Sequence, residues 1–201
     1  GRLKRMRNLT YDEIYDQVVE INNLAQQNYQ KSLTNIVYMG MGEPLLNYKN
    51  TLESVKKITS DEGLGMASRR ITVSTAGIAK MIKKLGDDEV KFNLALSLHA
   101  TNDEARDKIM EINQQNSLGS LAEALKYYYD KTGNMVTYEY CLLDGVNDTL
   151  KEAHELVQFC QHVPSKVNLI EYNPIDEGEF DKSDSKSTER FATYLEKNGV
   201  P

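Results

Sequence analysis

Five short strings hold the residues with usable chemistry. Gly40-Met41-Gly42-Glu43-Pro44 pairs two glycines with an acid. Glycine lets the backbone approach a ligand and bares its N–H and C=O groups, and Glu43 can accept hydrogen bonds from an ammonium or a hydroxyl. A Gly-x-Gly pair is also a common tight turn with a solvated acid behind it. Ser74-Thr75-Ala76-Gly77 offers two hydroxyls that bind a carboxylate or, more simply, cap the next helix. Ser97-Leu98-His99-Ala100 contains one of the chain's three histidines; a lone imidazole is a catalyst, a donor or a satisfied structural group. Asp144-Gly145-Val146-Asn147-Asp148 reads as a turn ending in a helix cap at Asp148, with a weaker case for a cation between its two acids. Asn173-Pro174 is at least a strand terminator.

The elements that must position these strings follow from periodicity. Short β-branched apolar runs at Asn35–Tyr38, Ile71–Ser74, Phe92–Ser97, Met135–Leu142 and Val167–Tyr172 predict buried strands. Amphipathic stretches predict helices around Ile14, Val18 and Ile21, and then at Tyr48–Thr59, Ile78–Leu85, Asp103–Ile112, Leu121–Lys131, Thr149–His162 and Thr188–Lys197. Thr10 with Glu13 has capping-box spacing, Asn102 and Asp148 are candidate N-caps, and Gly133 and Gly199 sit where helices stop. A helix followed by strand–helix units implies parallel pairing with right-handed crossovers. In such folds ligands bind at the C-terminal ends of the strands, and each of the five strings lies at one of those ends. No linker stands out, so residues 1–201 read as one domain, with a strand expected before Gly1.

Composition narrows the function classes. Lys plus Arg is 24 and Asp plus Glu 30, giving a net charge of −6, so bulk charge argues against a general nucleic-acid binder. Local charge differs: Arg2, Lys4, Arg5 and Arg7 form a basic start that could meet phosphates or simply be solvated. Apolar runs are too short to span a bilayer, no secretory signal is visible, and the compartment reads as cytosolic. The two cysteines, Cys141 and Cys160, exclude a disulfide framework and an all-cysteine metal or iron–sulfur site built by this chain alone; they read as buried, inert thiols. Tyr127–Tyr129 read as helix packing, and His154 and His162 as surface positions.

The strings in series resemble the radical S-adenosylmethionine RNA methyltransferases of the RlmN/Cfr type. The matching segments are Tyr38 to Asn47, Arg70 to Gly77, Leu96 to Asp103, Leu143 to Asp148, Val167 to Ile170 with Asn173-Pro174, and Arg7 to Thr10. Glu111 and Glu171 depart from the family pattern, outside the matched cofactor positions. The resemblance implies an α/β fold, a parallel partial (β/α)6 barrel that here lacks the first strand and cluster loop. It implies S-adenosylmethionine as cofactor: Gly42 and Glu43 at its ammonium, Ser74 as a polar contact, Ser97, Leu98 and His99 lining it, and Asn173 at its nucleoside end. It further implies a [4Fe–4S] cluster in the full-length protein, on a Cys-x3-Cys-x2-Cys loop before Gly1, and two more functional cysteines that Cys141 and Cys160 do not match.

The implied activity is radical methylation of adenine carbon 2 in 23S rRNA and in tRNA, with an electron donor such as flavodoxin or ferredoxin and no membrane. The isolated chain is expected to be inactive and to bind S-adenosylmethionine weakly at most. Alternatives are another radical enzyme, such as an activase, or a non-catalytic binding domain without the cluster.

Overall fold

The computed structural model describes residues 6–39, 42–175 and 178–201. The chain divides into two compact units, residues 1–75 with 91–93, and residues 76–90 with 94–201.

In the first unit, α1 (Tyr11–Tyr29) opens on the expected capping box, with Glu13 N donating to Thr10 Oγ1 and Thr10 N to the Glu13 carboxylate. Arg7, the described part of the basic start, is clamped on the same Glu13 by two bonds of 2.7 and 2.6 Å; Arg2, Lys4 and Arg5 lie outside the described residues. Helix α2 (Tyr48–Thr59) buries Thr51, Ser54, Val55 and Ile58, the i, i+3, i+4, i+7 spacing of one helix face. It meets α1 through Lys57, whose Nζ sits 2.8 Å from Asp12 and 4.5 Å from the Tyr15 ring centroid. Strands β1 (Ile36–Tyr38) and β2 (Ile71–Thr75) pair in parallel, from Ile36 opposite Ile71 to Tyr38 opposite Val73.

The second unit contains α3 (Ala79–Asp87), β3 (Asn93–Ser97) from Leu94 onward, α4 (Asp103–Ile109), a 3-10 turn at Glu111–Gln115, and α5 (Leu118–Thr132). It continues with β4 (Val136–Leu142), α6 (Leu150–Cys160), β5 (Ser165–Glu171) and α7 (Ser185–Lys197). Strand β4 lies between β3 and β5, parallel to both, with Ser97 opposite Glu139 and Glu139 opposite Asn168. Alternation fixes what each face does. Tyr138 packs edge-on against Phe159 of α6 and Tyr140 stacks on Phe191 of α7. Thr137, Glu139 and Cys141 therefore turn to the opposite face. Gly77 is closely packed against apolar side chains: at φ +102, a Cβ there would lie 3.0 Å from Leu96 and 3.1 Å from Leu121.

The parallel βα order agrees with the sequence reading, and several boundaries move for local reasons. Helix α5 begins at Leu118 because Ser117 caps it, and α7 begins at Ser185 because Asp184 caps it. The stretch Asp103–Ile112 breaks after Ile109. The cap of α6 is Thr149 rather than Asp148, whose carboxylate accepts from Gly145 N inside the preceding turn. Gly133 stops α5 in the left-handed conformation, as expected. Tyr128 is buried in α5 and Tyr127 reaches Asp87, so this tyrosine run is packing. Among the described residues, no helix is long and apolar enough to cross a membrane.

Candidate functional site

The strand ends of the first unit are held by one acid. Gly42 has φ +100 and open space where a Cβ would stand, a backbone that an L side chain rarely adopts. Glu43 follows it and caps the 3-10 turn Pro44–Asn47, its Oε1 accepting from Leu45 N at 2.9 Å. The same oxygen accepts from Thr75 Oγ1 at 2.8 Å, which ties the end of β1 to the end of β2. This corrects the capping expectation for Ser74 and Thr75. Helix α3 starts at Ile78 with no side-chain cap, and its Ala79 N–H goes to Asn116 Oδ1 instead. Ser74 is 7% exposed, and its hydroxyl has no hydrogen-bond partner among the described residues. Gly40, the other glycine of the motif, lies outside the described residues.

The strand ends of the second unit are held by a buried network. Arg106 of α4 is fully buried and donates almost entirely to backbone oxygens. Its Nε reaches Leu98 O at 3.0 Å, and its Nη2 reaches Ala76 O at 2.7 Å and Ser97 O at 3.1 Å. Its Nη1 donates to Asn113 Oδ1 at 2.8 Å. Asn113 in turn donates to Asp103 Oδ1 and Asp107 Oδ1 at 3.0 and 2.7 Å. Burial pulls the guanidinium pKa down to about 10, against the pull of the two aspartates, so it stays charged at neutral pH.

Asn147 does the same from the turn after β4. Its Nδ2 donates to His99 O and Cys141 O, each at 2.7 Å, and its Oδ1 accepts from Leu143 N at 2.7 Å. His99 sits between these two anchors at φ +56, a left-handed conformation rare for residues other than glycine. Its Nδ1 accepts from Cys141 N at 3.1 Å, which leaves the proton on Nε2. Burial, with a smaller push from Arg106, lowers its pKa to about 4, so the ring is neutral near pH 7. Asn173 follows β5 on the surface with no hydrogen-bond partner among the described residues.

The structure thus brings Glu43 to Thr75 beside Ser74 in one unit, and gathers Ser97, Leu98 and His99 in the other. Sequence reasoning missed the residues that do the gathering. Arg106 lies in a stretch that reads only as an amphipathic helix, and Asn147 in one that reads as a turn with a helix cap. Glu139 left a visible signal, an acid inside the apolar run Met135–Leu142.

The profile of the Radical SAM superfamily matches residues 3–160, and the chain belongs to that superfamily. Within it, the chain is 54% identical over 200 residues to a probable dual-specificity RNA methyltransferase RlmN of Christiangramia forsetii, covering 100% of this chain and 57% of that protein. It is 46% identical over 202 residues to the protein of the same name in Salinibacter ruber, covering 100% of this chain and 55% of the relative. The chain therefore spans a little over half the length of these relatives.

A crystal structure of a radical SAM methyltransferase from Sphaerobacter thermophilus matches with a TM-score of 0.93 at 39% identity, over 98% of this chain and 57% of that one. A domain of pyruvate-formate lyase-activating enzyme from Bacteroides vulgatus, at TM-score 0.62 and 14% identity over 84% of this chain and 96% of that one, shares the fold. The expected α/β fold of the radical SAM type is met.

That superfamily implies S-adenosylmethionine and a [4Fe–4S] cluster. In the first unit the open Gly42 and the unpartnered Ser74 offer bare backbone and a hydroxyl, and in the second the pinned backbone around His99 and the unpartnered Asn173 offer polar groups; each is a donor or acceptor type that an ammonium, a carboxylate or a nucleoside can use. The cluster is a different matter. Cys141 on β4 and Cys160 on α6 are both half-buried with thiol pKa values raised by burial. Among the described residues no group of three or more His, Cys, Asp or Glu could hold a metal. The described residues therefore do not fit that cluster.

Proposed function

We propose that the chain is the S-adenosylmethionine-binding core of an RNA methyltransferase acting on carbon 2 of adenine in 23S rRNA and in tRNA. The observation that carries this reading is the run of matched strand ends, Gly42-Glu43, Ser74, Ser97-Leu98-His99 and Asn173, in a chain whose relatives are named probable dual-specificity RNA methyltransferases. Gly42 offers bare backbone beside Glu43, which accepts from the cofactor's ammonium. Ser74 gives a hydroxyl at the end of β2. Leu98 and Ser97 line the cofactor, and Nε2–H of His99 donates. Asn173 meets the nucleoside end. S-adenosylmethionine bound there supplies the methyl group and, when reductively cleaved, the radical needed at a carbon that is not nucleophilic. The protein's share is to orient the reactants and keep water away.

The whole of residues 1–201 acts as one core in this reading. The cluster belongs to the full-length protein, which works in the cytosol with an electron donor such as flavodoxin or ferredoxin. The test is nucleoside analysis of 23S rRNA and tRNA by mass spectrometry, in cells lacking the parent gene and in the same cells carrying it back. Restored 2-methyladenosine is the expected result. 8-Methyladenosine would assign methylation to carbon 8 of adenine instead, and no change in methylated adenosine would overturn the reading.

A further inference from the structure

Glu139 is a charged side chain on the face of β4 turned away from α6 and α7, and it is only 8% exposed. Its Oε2 accepts from Asn168 Nδ2 on β5 at 2.7 Å. Its Oε1 has no hydrogen-bond partner among the described residues, and no Lys, Arg or His among them forms an ion pair with either oxygen. The carboxylate is largely enclosed, but Oε1 still touches solvent and is open to a donor from outside the chain. Its position is well defined. The register sets Ser97, Glu139 and Asn168 side by side in one row across β3, β4 and β5. The backbone at that row is pinned, because Ser97 O is held by Arg106, and Glu139 O accepts from both Leu98 N and His99 N, at 3.0 and 3.3 Å. Asn168 aims the acid; Oε1 is left as a preorganised acceptor next to the residues read as lining the cofactor.

We propose that Glu139 is a specificity-determining residue whose Oε1 accepts a hydrogen bond from a nucleoside, either a sugar hydroxyl or an exocyclic amine, with Asn168 as its positioning residue. This rests on the reading above, in which two nucleosides meet the protein: that of S-adenosylmethionine and the target adenosine of the RNA. Both offer the donor that Oε1 lacks.

Glu139→Gln separates the two sources. The glutamine oxygen still accepts from Asn168, but the amide then presents a donor where the ligand presents one. The measurements use the full-length, cluster-loaded protein: calorimetric Kd for S-adenosylmethionine and for the unreactive S-adenosylhomocysteine, then KM and kcat with an RNA substrate. A Kd raised about tenfold for both small ligands assigns the donor to the cofactor's nucleoside. Unchanged Kd values with an RNA KM raised about tenfold at constant kcat assign it to the target adenosine. Changes under twofold in all of them overturn the proposal, as does a wild-type protein that binds neither ligand. Asn168→Ala, at an exposed position, should shift the same constant in the same direction by about threefold, and serves if Glu139→Gln does not fold. A wild-type protein that binds S-adenosylmethionine, loses affinity on Glu139→Gln and yet methylates no RNA would refute the functional reading and leave this one standing.

Discussion

The two units present their strand ends in opposite ways. In the first, one carboxylate oxygen of Glu43 ties Thr75 to the turn at Leu45, and Gly42 beside it is open. In the second, Ser97, Leu98 and His99 are held by a fully buried arginine and a fully buried asparagine that together donate to six carbonyl oxygens. The physical reason lies in the conformation each must hold. Glycine adopts φ +100 without strain, so Gly42 needs little support. His99 at φ +56 does not, and a left-handed non-glycine residue persists only where its surroundings over-determine it. Polar scaffolding is spent where the backbone resists. The second unit should therefore be brittle toward loss of a donor and the first tolerant.

Arg106→Met gives the largest effect. It leaves the carbonyls of Ala76, Ser97, Leu98 and Asn116 and the Asn113 amide oxygen without their donor at a fully buried position. Breaking a buried charged network costs about 3–5 kcal/mol, and 1 kcal/mol shifts Tm by roughly 2–4 °C at this chain length. Thermal unfolding should show a fall of ten degrees or thereabouts; a fall of two degrees or less would mean the network is not what holds these strand ends. Asn147 sharpens the same point through charge. Asn147→Asp puts carboxylate oxygen against the carbonyls of His99 and Cys141, so it should cost at least as much as Asn147→Ala, about 2–3 kcal/mol. If the aspartate is the milder change, Asn147 does not act as a double donor.

These residues also mark how far the sequence could be read. The βα order was legible because buried parallel strands such as Leu94–Leu96 announce themselves as apolar runs, and Thr10, Asn102 and Gly133 have shapes that suit helix ends whatever the tertiary context. The strand-end strings were legible because turns there need small and polar residues. What holds them was not. Arg106 satisfies Ala76 O, 30 residues away, and nothing local distinguishes it from the solvated Lys108 two positions on. The break after Ile109 has the same origin: Asn113 must turn inward toward Arg106, Asp103 and Asp107, which a continuous helix would not allow. Thr75 prefers a carboxylate 32 residues distant over the helix start next to it, a choice only the fold can make.

His99 turns the comparison into a pH dependence. Its pKa is about 4 in the folded chain and 6.5 in the unfolded one, because burial and Arg106 disfavour the imidazolium. Between those values the unfolded chain binds more protons, so this histidine's contribution is fully present above about pH 6.5 and is lost as pH falls toward 4. The loss should be about 2 kcal/mol after allowance for partial exposure. His99→Asn tolerates the left-handed backbone and should flatten that part of the denaturant-midpoint profile between pH 6.5 and 4. An unchanged slope in the variant would place the acid sensitivity elsewhere.

The first unit gives the smallest change in stability, and that is its test. Thr75→Val removes one hydroxyl donor from Glu43 while leaving Leu45 N in place, and the isosteric side chain fills the same space. The expected cost is about 1 kcal/mol or less, a Tm shift of two to four degrees at roughly this chain length. Glu43→Gln should cost no more, since an amide oxygen still accepts from Leu45 N and Thr75 Oγ1. Its effect should fall on ligand affinity instead: the neutral amide lowers affinity for an ammonium-bearing ligand, and calorimetry with S-adenosylmethionine on the full-length protein reads it directly. A stable Glu43→Gln variant with unchanged affinity would remove Glu43 from the proposed site. A Glu43→Gln variant as unstable as Arg106→Met would abolish the contrast between the two units, because it would show that a single exposed-side acid carries as much of the strand-end geometry as the buried network does.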